Sequence, residues 1–291
     1  MIRHPSNYWF TSLIGFFYQY GIGTAIDSQM AFKFFNLAAA NEIFDTTSNS
    51  SSLRKLYNIN KEIGIIALAN MYLYGLGVEK NIIKAIQIYL KLADKGSPIA
   101  LNTLAFCYSN GLGVEKNEEK AFELYLKSAE KGNLVAQINV GICYKDGAGI
   151  TKDEAKGFQW FIKSALAGNI GSMCNVGYCY ENGIGVGKDE KEGFKWYLKA
   201  AENEHNMSQG NVGNCYKNGG IKMDQVKAFE WYKKAAENFF ANSQFMLGFC
   251  FYEGYGTKRD IVKAIYWLNK AKENGDPDAN ELLEEIASNL M

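Results

Sequence analysis

The chain has 291 residues, and its 31 lysines and arginines are balanced by 31 aspartates and glutamates. That balance supplies no net field to draw the protein to nucleic acid or anionic lipid, so neither is expected as a partner. With 3 prolines, 29 glycines and 14% aromatic residues, the composition is that of a helical protein whose turns are made by glycine and whose packing uses rings.

The first apolar run, Tyr8 to Tyr18, is shorter than the about 20 residues that a membrane span needs. Behind Arg3 and His4 it has the outline of a signal-peptide core. Its Gly15, Tyr18 and Gly21, however, fall in phase with the rest of the chain, so it is read as a first helix. Glycines 75, 111, 147, 183 and 219 stand 36 residues apart, Gly254 follows after 35, and Gly21 precedes Gly75 by 54, which is 36 plus 18. The extra residues fall in 42–61, where Thr46, Thr47, Ser48, Asn49, Ser50, Ser51 and Ser52 run together; a solvated loop inserted between the first and second repeats is predicted there. A repeat array grows by stacking, so 1–291 is expected to be a single domain.

Each period holds two helical patterns. In the first, typified by Leu134 to Asp146, Ala136, Val140, Gly141 and Tyr144 share one face at three-and-four spacing. Asn110-Gly111, Asp146-Gly147 and Asn182-Gly183 then read as left-handed helix stops. An Asp or Asn follows in every copy, at Asp27, Asn81, Asn117, Asp153, Asp189, Asp224 and Asp260, and caps a second helix. That helix carries Lys-Ala or an equivalent and then a large pair such as Trp160-Phe161, Trp196-Tyr197, Trp231-Tyr232 or Trp267-Leu268. The tryptophan stripe at helical register is assigned to the core. One residue is missing between Gly219 and Asp224, so that corner is expected to be distorted. After Gly275 a last helix, Asp278 to about Asn289 within 276–291, keeps Ala279 and Leu283 in phase and turns Glu281, Glu284 and Glu285 to water, as a C-terminal cap does.

Cys107, Cys143, Cys179, Cys215 and Cys250 occupy one repeat position, with Cys174 outside that series. Equivalent positions on packed helices lie about 8–10 Å apart, beyond the reach of a disulfide, so the thiols are expected to be buried and reduced. That pattern fits an intracellular, cytoplasmic setting.

The pattern A-x-x-x-[LV]-G-x-C-Y-x-[ND]-G-x-G followed by D-x-x-K-[AG]-x-x-W-[YF]-x-K-[AS]-A is similar to the Sel1-like repeat, about seven copies of it, in wording closest to fungal expansions. The resemblance implies an all-α fold: a right-handed α-solenoid, or superhelix, of paired antiparallel helices related to tetratricopeptide arrays. It also implies a non-catalytic scaffold or adaptor that binds partner peptides or proteins in a concave groove. In such arrays the first helix of each pair lines the groove, at positions three before and one and four after its central small residue. Carried onto this chain, that geometry names Ile66, Asn70 and Leu73; Asn102, Phe106 and Ser109; Ile138, Ile142 and Lys145; Cys174, Tyr178 and Glu181; and Gly210, Asn214 and Lys217. The candidate partner-binding track is Asn70, Asn102, Phe106, Lys145, Tyr178, Asn214 and Lys217, whose amides suit a peptide backbone and whose rings suit apolar contact.

No cofactor, metal or catalytic residue is assigned. The G-x-G pairs follow helices, not strands, and are read as turns instead of phosphate loops. His4 and His205 stand on different repeats, without cysteine partners at ligand spacing. Two alternatives stay open. Some bacterial members of the family are described as penicillin-binding or β-lactamase-like, and Ser52-Leu53-Arg54-Lys55 spells S-x-x-K, although neither S-D-N nor K-T-G accompanies it. The chain could also be the regulatory array of a larger, kinase-linked signalling protein, although it carries no kinase signature itself.

Overall fold

Helices form wherever the three-and-four spacing meets an Asp or Asn cap. The computed structural model describes residues 10–40, 51–218, 221–238 and 240–290, and every regular element in them is helical. The chain divides into two compact units. Met1–Ala136 with Ala148–Ile150 forms the first, and Gln137–Gly147 with Thr151–Met291 the second. The first holds α1 (Thr11–Tyr20), α2 (Ser28–Ala40), α3 (Ser51–Tyr74), α4 (Ile82–Asp94), α5 (Pro98–Asn110) and α6 (Glu118–Glu130). The second holds most of α7 (Leu134–Asp146), then α8 (Glu154–Leu166), α9 (Ile170–Asn182), α10 (Glu190–Glu202), α11 (Asn206–Asn218), α12 (Gln225–Glu237), α13 (Ala241–Glu253), α14 (Ile261–Glu273) and α15 (Ala279–Leu290). Within each unit, successive helices of the described residues pack against one another, as α1 on α2 and α5 on α6 in the first and α9 on α10 and α11 on α12 in the second, and the fold is an α-solenoid of paired helices.

The corner between the helices of a pair is closed by a single residue. Asp27, Asn81, Asn117, Asp153, Asp189, Asp224 and Asp260 each accept, at 2.8–3.0 Å, the backbone amide three residues on. The same residue's own amide donates back to the last turn of the preceding helix, as from Asn117 to Tyr108 at 2.9 Å and from Asp189 to Tyr180 at 2.8 Å. One side chain and one amide thereby satisfy groups that both helix ends would leave unpaired. Asp224 keeps its bond to the Tyr216 carbonyl at 3.1 Å despite the shorter loop; the distortion expected at that corner falls on 219–220, outside the described residues. The two glycines of each G-x-G differ in task. Gly183 ends α9 in the left-handed region, at φ 70°. A side chain on Gly185 would fall on the carbonyl of Glu154, so this second glycine lets the loop lie against the start of α8.

Small residues bring the paired helices together. A Cβ on Gly177 would stand 2.7 Å from the ring of Tyr197 and 3.0 Å from the carbonyl oxygen of Gly193, and Gly141 meets Phe161 and Gly157 in the same way. In the first unit the corresponding positions hold Ala105 and Ala121, both buried. Edge-on rings fill the next layer, with Phe158 against Tyr180 at 5.3 Å and Phe194 against Tyr216 at 5.5 Å. Above the tyrosines lie the lysines of the Lys-Ala pairs, as with Lys120 at 4.2 Å from the Tyr108 ring centroid.

Three expectations need correction. Residues 51–61, read as loop, are the opening turns of α3; residues 41–50 lie outside the described residues. The extra turns are held by Asn60, which is buried, accepts the Ser12 hydroxyl at 2.5 Å and the Ser12 amide at 3.2 Å, and donates to the Thr11 hydroxyl at 3.3 Å. The tryptophans border the core instead of filling it. Trp160, Trp196, Trp231 and Trp267 are half-buried, each beneath a lysine, such as Lys234 at 4.3 Å from Trp231, while the neighbouring Phe161, Tyr197, Tyr232 and Leu268 are fully buried. In α15 the buried positions are Ala279, Leu282 and Ile286, with Leu283 only half-buried.

All six cysteines are buried and none is joined in a disulfide. Burial pushes the thiols of Cys107 and Cys179 up to about 11 and those of Cys215 and Cys250 up to about 12. Among the described residues no helix is long and apolar enough to cross a membrane.

Candidate functional site

The first helix of each pair presents residues that its partner does not cover, and each unit has its own set. In the first unit Asn70 on α3 is half-buried and its carboxamide oxygen accepts the hydroxyl of Tyr89 at 2.5 Å. On α5, Asn102 is half-buried and Phe106 is 42% exposed. In the second unit Lys145, in the last turn of α7, is half-buried with its ammonium 3.3 Å from the Asp146 carboxylate. Tyr178 on α9 is 46% exposed. Asn214 on α11 accepts the hydroxyl of Tyr232 at 2.7 Å, and Lys217, one turn on, lies 4.9 Å from the ring centroid of Phe249 on α13.

Not every position carried over from the repeat geometry is open. Ile66, Leu73 and Cys174 are buried, as is Gly210. Cys174 instead receives the Asn211 amide at 3.8 Å, so these positions form the floor between neighbouring helices.

Buried tyrosines on the second helices are the members of the site that repeat geometry missed. Tyr89, Tyr197 and Tyr232 have rings that are essentially inaccessible, yet each extends its hydroxyl to the uncovered face, to Asn70, Glu181 and Asn214 respectively. Burial, with Glu181 adding its charge at Tyr197, holds all three phenols well above their ordinary value, so they stay protonated and able to donate. A tyrosine directly after the tryptophan-type position was a legible sign, since the matching Phe161 and Leu268 have no hydroxyl to offer. The α1 helix carries the same positions: Phe16 and Gln19 correspond to Asn70 and Leu73 in the next repeat and to Phe106 and Ser109 in the one after that.

The remaining polar candidates have local work. His205 caps α11, its Nδ1 lying 2.8 Å from the Ser208 hydroxyl and 3.3 Å from the Ser208 amide; burial lowers its pKa, so the ring is neutral at pH 7. Ser52 and Lys55 are exposed at the start of α3. His4 lies outside the described residues.

The Sel1 repeat model matches residues 12–42, 63–97, 98–133, 134–169, 170–205, 206–238 and 241–276. Among solved structures, a Sel1 repeat protein from Oxalobacter formigenes is 33% identical with a TM-score of 0.67, over 76% of this chain and 87% of that one. A protective antigen of uropathogenic Escherichia coli strains displaying an SLR fold is 25% identical with a TM-score of 0.65; the alignment covers 98% of this chain but 58% of that protein. An immunity protein of Pseudomonas aeruginosa, at 20% identity and a TM-score of 0.52 over 74% of this chain and 82% of that one, shares the fold. No curated protein matches the sequence. Those seven segments together span most of the chain, and the chain belongs to the Sel1 repeat family.

Proposed function

We propose that the protein is a non-catalytic interaction scaffold that holds segments of protein partners against the uncovered faces of its first helices. Asn70, Asn102 and Phe106 would do this in the first unit, and Lys145, Tyr178, Asn214 and Lys217 in the second. Sel1 repeat proteins generally mediate protein–protein interaction. The observation that carries the reading is the pairing of Tyr89 with Asn70 and of Tyr232 with Asn214. Each buried phenol donates to the carboxamide oxygen and so fixes which end of the amide faces inward. The amide N–H groups are then held ready to donate to a partner's backbone carbonyl at little entropic cost.

The test is to select peptides on the intact chain from a random display library, then measure them against the combined Asn102→Ala, Phe106→Ala and Tyr178→Ala variant. Loss of binding with an unchanged helical circular-dichroism signal supports the reading. Undiminished binding to that folded variant rejects it.

A further inference from the structure

The outer side of α1 carries no polar residue. Its exposed residues are Leu13, Phe17 and Tyr20, and Phe10, just before the helix begins, is exposed as well. No charged side chain occurs between His4 and Asp27. The capping helix α15 is the opposite case, with Glu281, Glu284 and Glu285 all exposed. A terminal element of a stacked array needs such a polar outer face to stay soluble; α15 has one and α1 does not.

Repeat register identifies the open face. Phe10, Ile14, Phe17 and Ile22 stand where Ala100, Leu104, Cys107 and Leu112 stand in and just after α5. Ala100, Leu104 and Cys107 are buried in one cluster with Tyr89 and Leu92 of the preceding helix α4, and Leu112 packs against that cluster. On α1 the matching positions are uncovered, with Phe10 55%, Phe17 37% and Ile22 57% exposed. A helix like α4 would not fit here, because Ala100 and Cys107 leave room for the Tyr89 ring and phenylalanines at both positions fill that room.

What does fit is a copy of the same face. Positions 10, 13, 17 and 20 alternate spacings of three and four, the seam of two helices packed along each other. Turned about a two-fold axis, an uncharged apolar face meets its own kind and opposes no like charges. We infer that α1 pairs antiparallel with α1 of a second copy of this chain, Leu13 of one copy lying against Phe17 of the other and Phe10 against Tyr20. A large side chain buries about 150–250 Å² when fully covered, so Phe10, Leu13, Phe17, Tyr20 and Ile22 at about half exposure offer about 500 Å² per copy. Two copies then remove about 1,000 Å², the lower bound for a specific contact. The dimer is therefore a weak one that exchanges with monomer at micromolar concentrations. It goes beyond the proposed binding of partner segments and does not depend on it.

Sedimentation velocity of the full chain from about 1 to 300 μM tests the pairing, and a monomer–dimer equilibrium with its midpoint inside that range is expected. Leu13→Glu should raise the midpoint by at least about tenfold by burying an unpaired carboxylate at the seam. Should that variant lose its helical circular-dichroism signal, Leu13→Gln supplies the same readout. Val262→Glu, at an apolar position on α14 that is 79% exposed, should leave the midpoint where it is. Mixed in equal amounts, Leu13→Glu and Phe17→Lys chains should associate more tightly than either alone, because the antiparallel register sets position 13 of one copy against position 17 of the other. A chain that stays monomeric throughout would overturn the inference and leave the face to a helix of another protein. Association indifferent to Leu13→Glu, association weakened as much by Val262→Glu, or no recovery in the mixture would overturn it as well.

Discussion

The uncovered faces of the two units differ although both are built from the same repeat. In the first unit the positions from Phe16 and Gln19 through Asn70, Asn102 and Phe106 are neutral, mixing rings with amides. In the second, Lys145, Glu181 and Lys217 bring charge to the matching positions, beside Tyr178 and Asn214. The seam between α5 and α6 differs from that between α9 and α10: buried Ala105 and Ala121 in the first stand where Gly177 and Gly193 bring the backbones into near contact in the second. Because corners and caps fix the helices independently of these side chains, one scaffold can carry two recognition chemistries.

The largest effect should come from the seam. Gly177→Val is expected to destabilise the second unit by about 1–3 kcal/mol through overpacking against Tyr197 and the Gly193 backbone. Ala105→Gly in the first unit should cost only about 0.5–1 kcal/mol from helix propensity, plus a lost methyl. Chemical denaturation of both variants measures the gap, and equal losses would show that the glycine seam is no tighter than the alanine one. Next come the phenols. Tyr197→Phe removes a bond to the Glu181 carboxylate at 2.8 Å and should cost about 1.5–3 kcal/mol, while Tyr89→Phe, which removes a bond to a neutral amide, should cost about 1 kcal/mol. The same denaturation series ranks them.

Smaller still is the response to salt. Peptides that need Lys145 or Lys217 should bind a few-fold more weakly when sodium chloride rises from about 0.05 to 0.5 M, whereas those that need Phe106 should hold their affinity. A salt titration by fluorescence anisotropy distinguishes the two groups. The smallest effect is a pH response confined to the second unit. The folded-state pKa of His205 lies below the ordinary 6.5 because of burial, so the neutral ring contributes stability that is present above that value and is lost as pH falls toward the folded pKa. Hydrogen exchange at the Ser208 amide, corrected for intrinsic rates, should speed up between pH 7 and 5.5. The Ala100 amide, capped by the non-titrating Ser97, should not change, and His205→Asn should abolish the pH response.

Signals that lie within one period were readable in the sequence. The Asp and Asn caps, the glycine stops and the helix pairing all depend on residues a few places apart, and the fold and family follow from them. The first-helix caps Ser97, Asn133 and Asn169 went unread, although they stand at a constant 14 residues before Gly111, Gly147 and Gly183. What sequence pattern could not reach depends on distant partners. Asn60 is helical because it clasps Ser12, 48 residues away, while the polar run before it imitates a loop. Tyrosine and tryptophan alternate on one helix at neighbouring positions, and only packing decides that Tyr197 is enclosed and Trp196 lies at the edge. Of the candidate face, Phe106 and Tyr178 sit in the open, but the buried Ile66 and Cys174 show how far a rotation of a few tens of degrees alters exposure.

The series of enclosed thiols gives the array a built-in record of its own breathing. Because Cys107, Cys143, Cys179, Cys215 and Cys250 recur once per repeat and all are sheltered, an alkylating reagent can modify each one only when its own stretch of helix opens. The order in which the five sites are labelled would therefore read out, hairpin by hairpin, where the array loosens first, with no probe introduced by mutation.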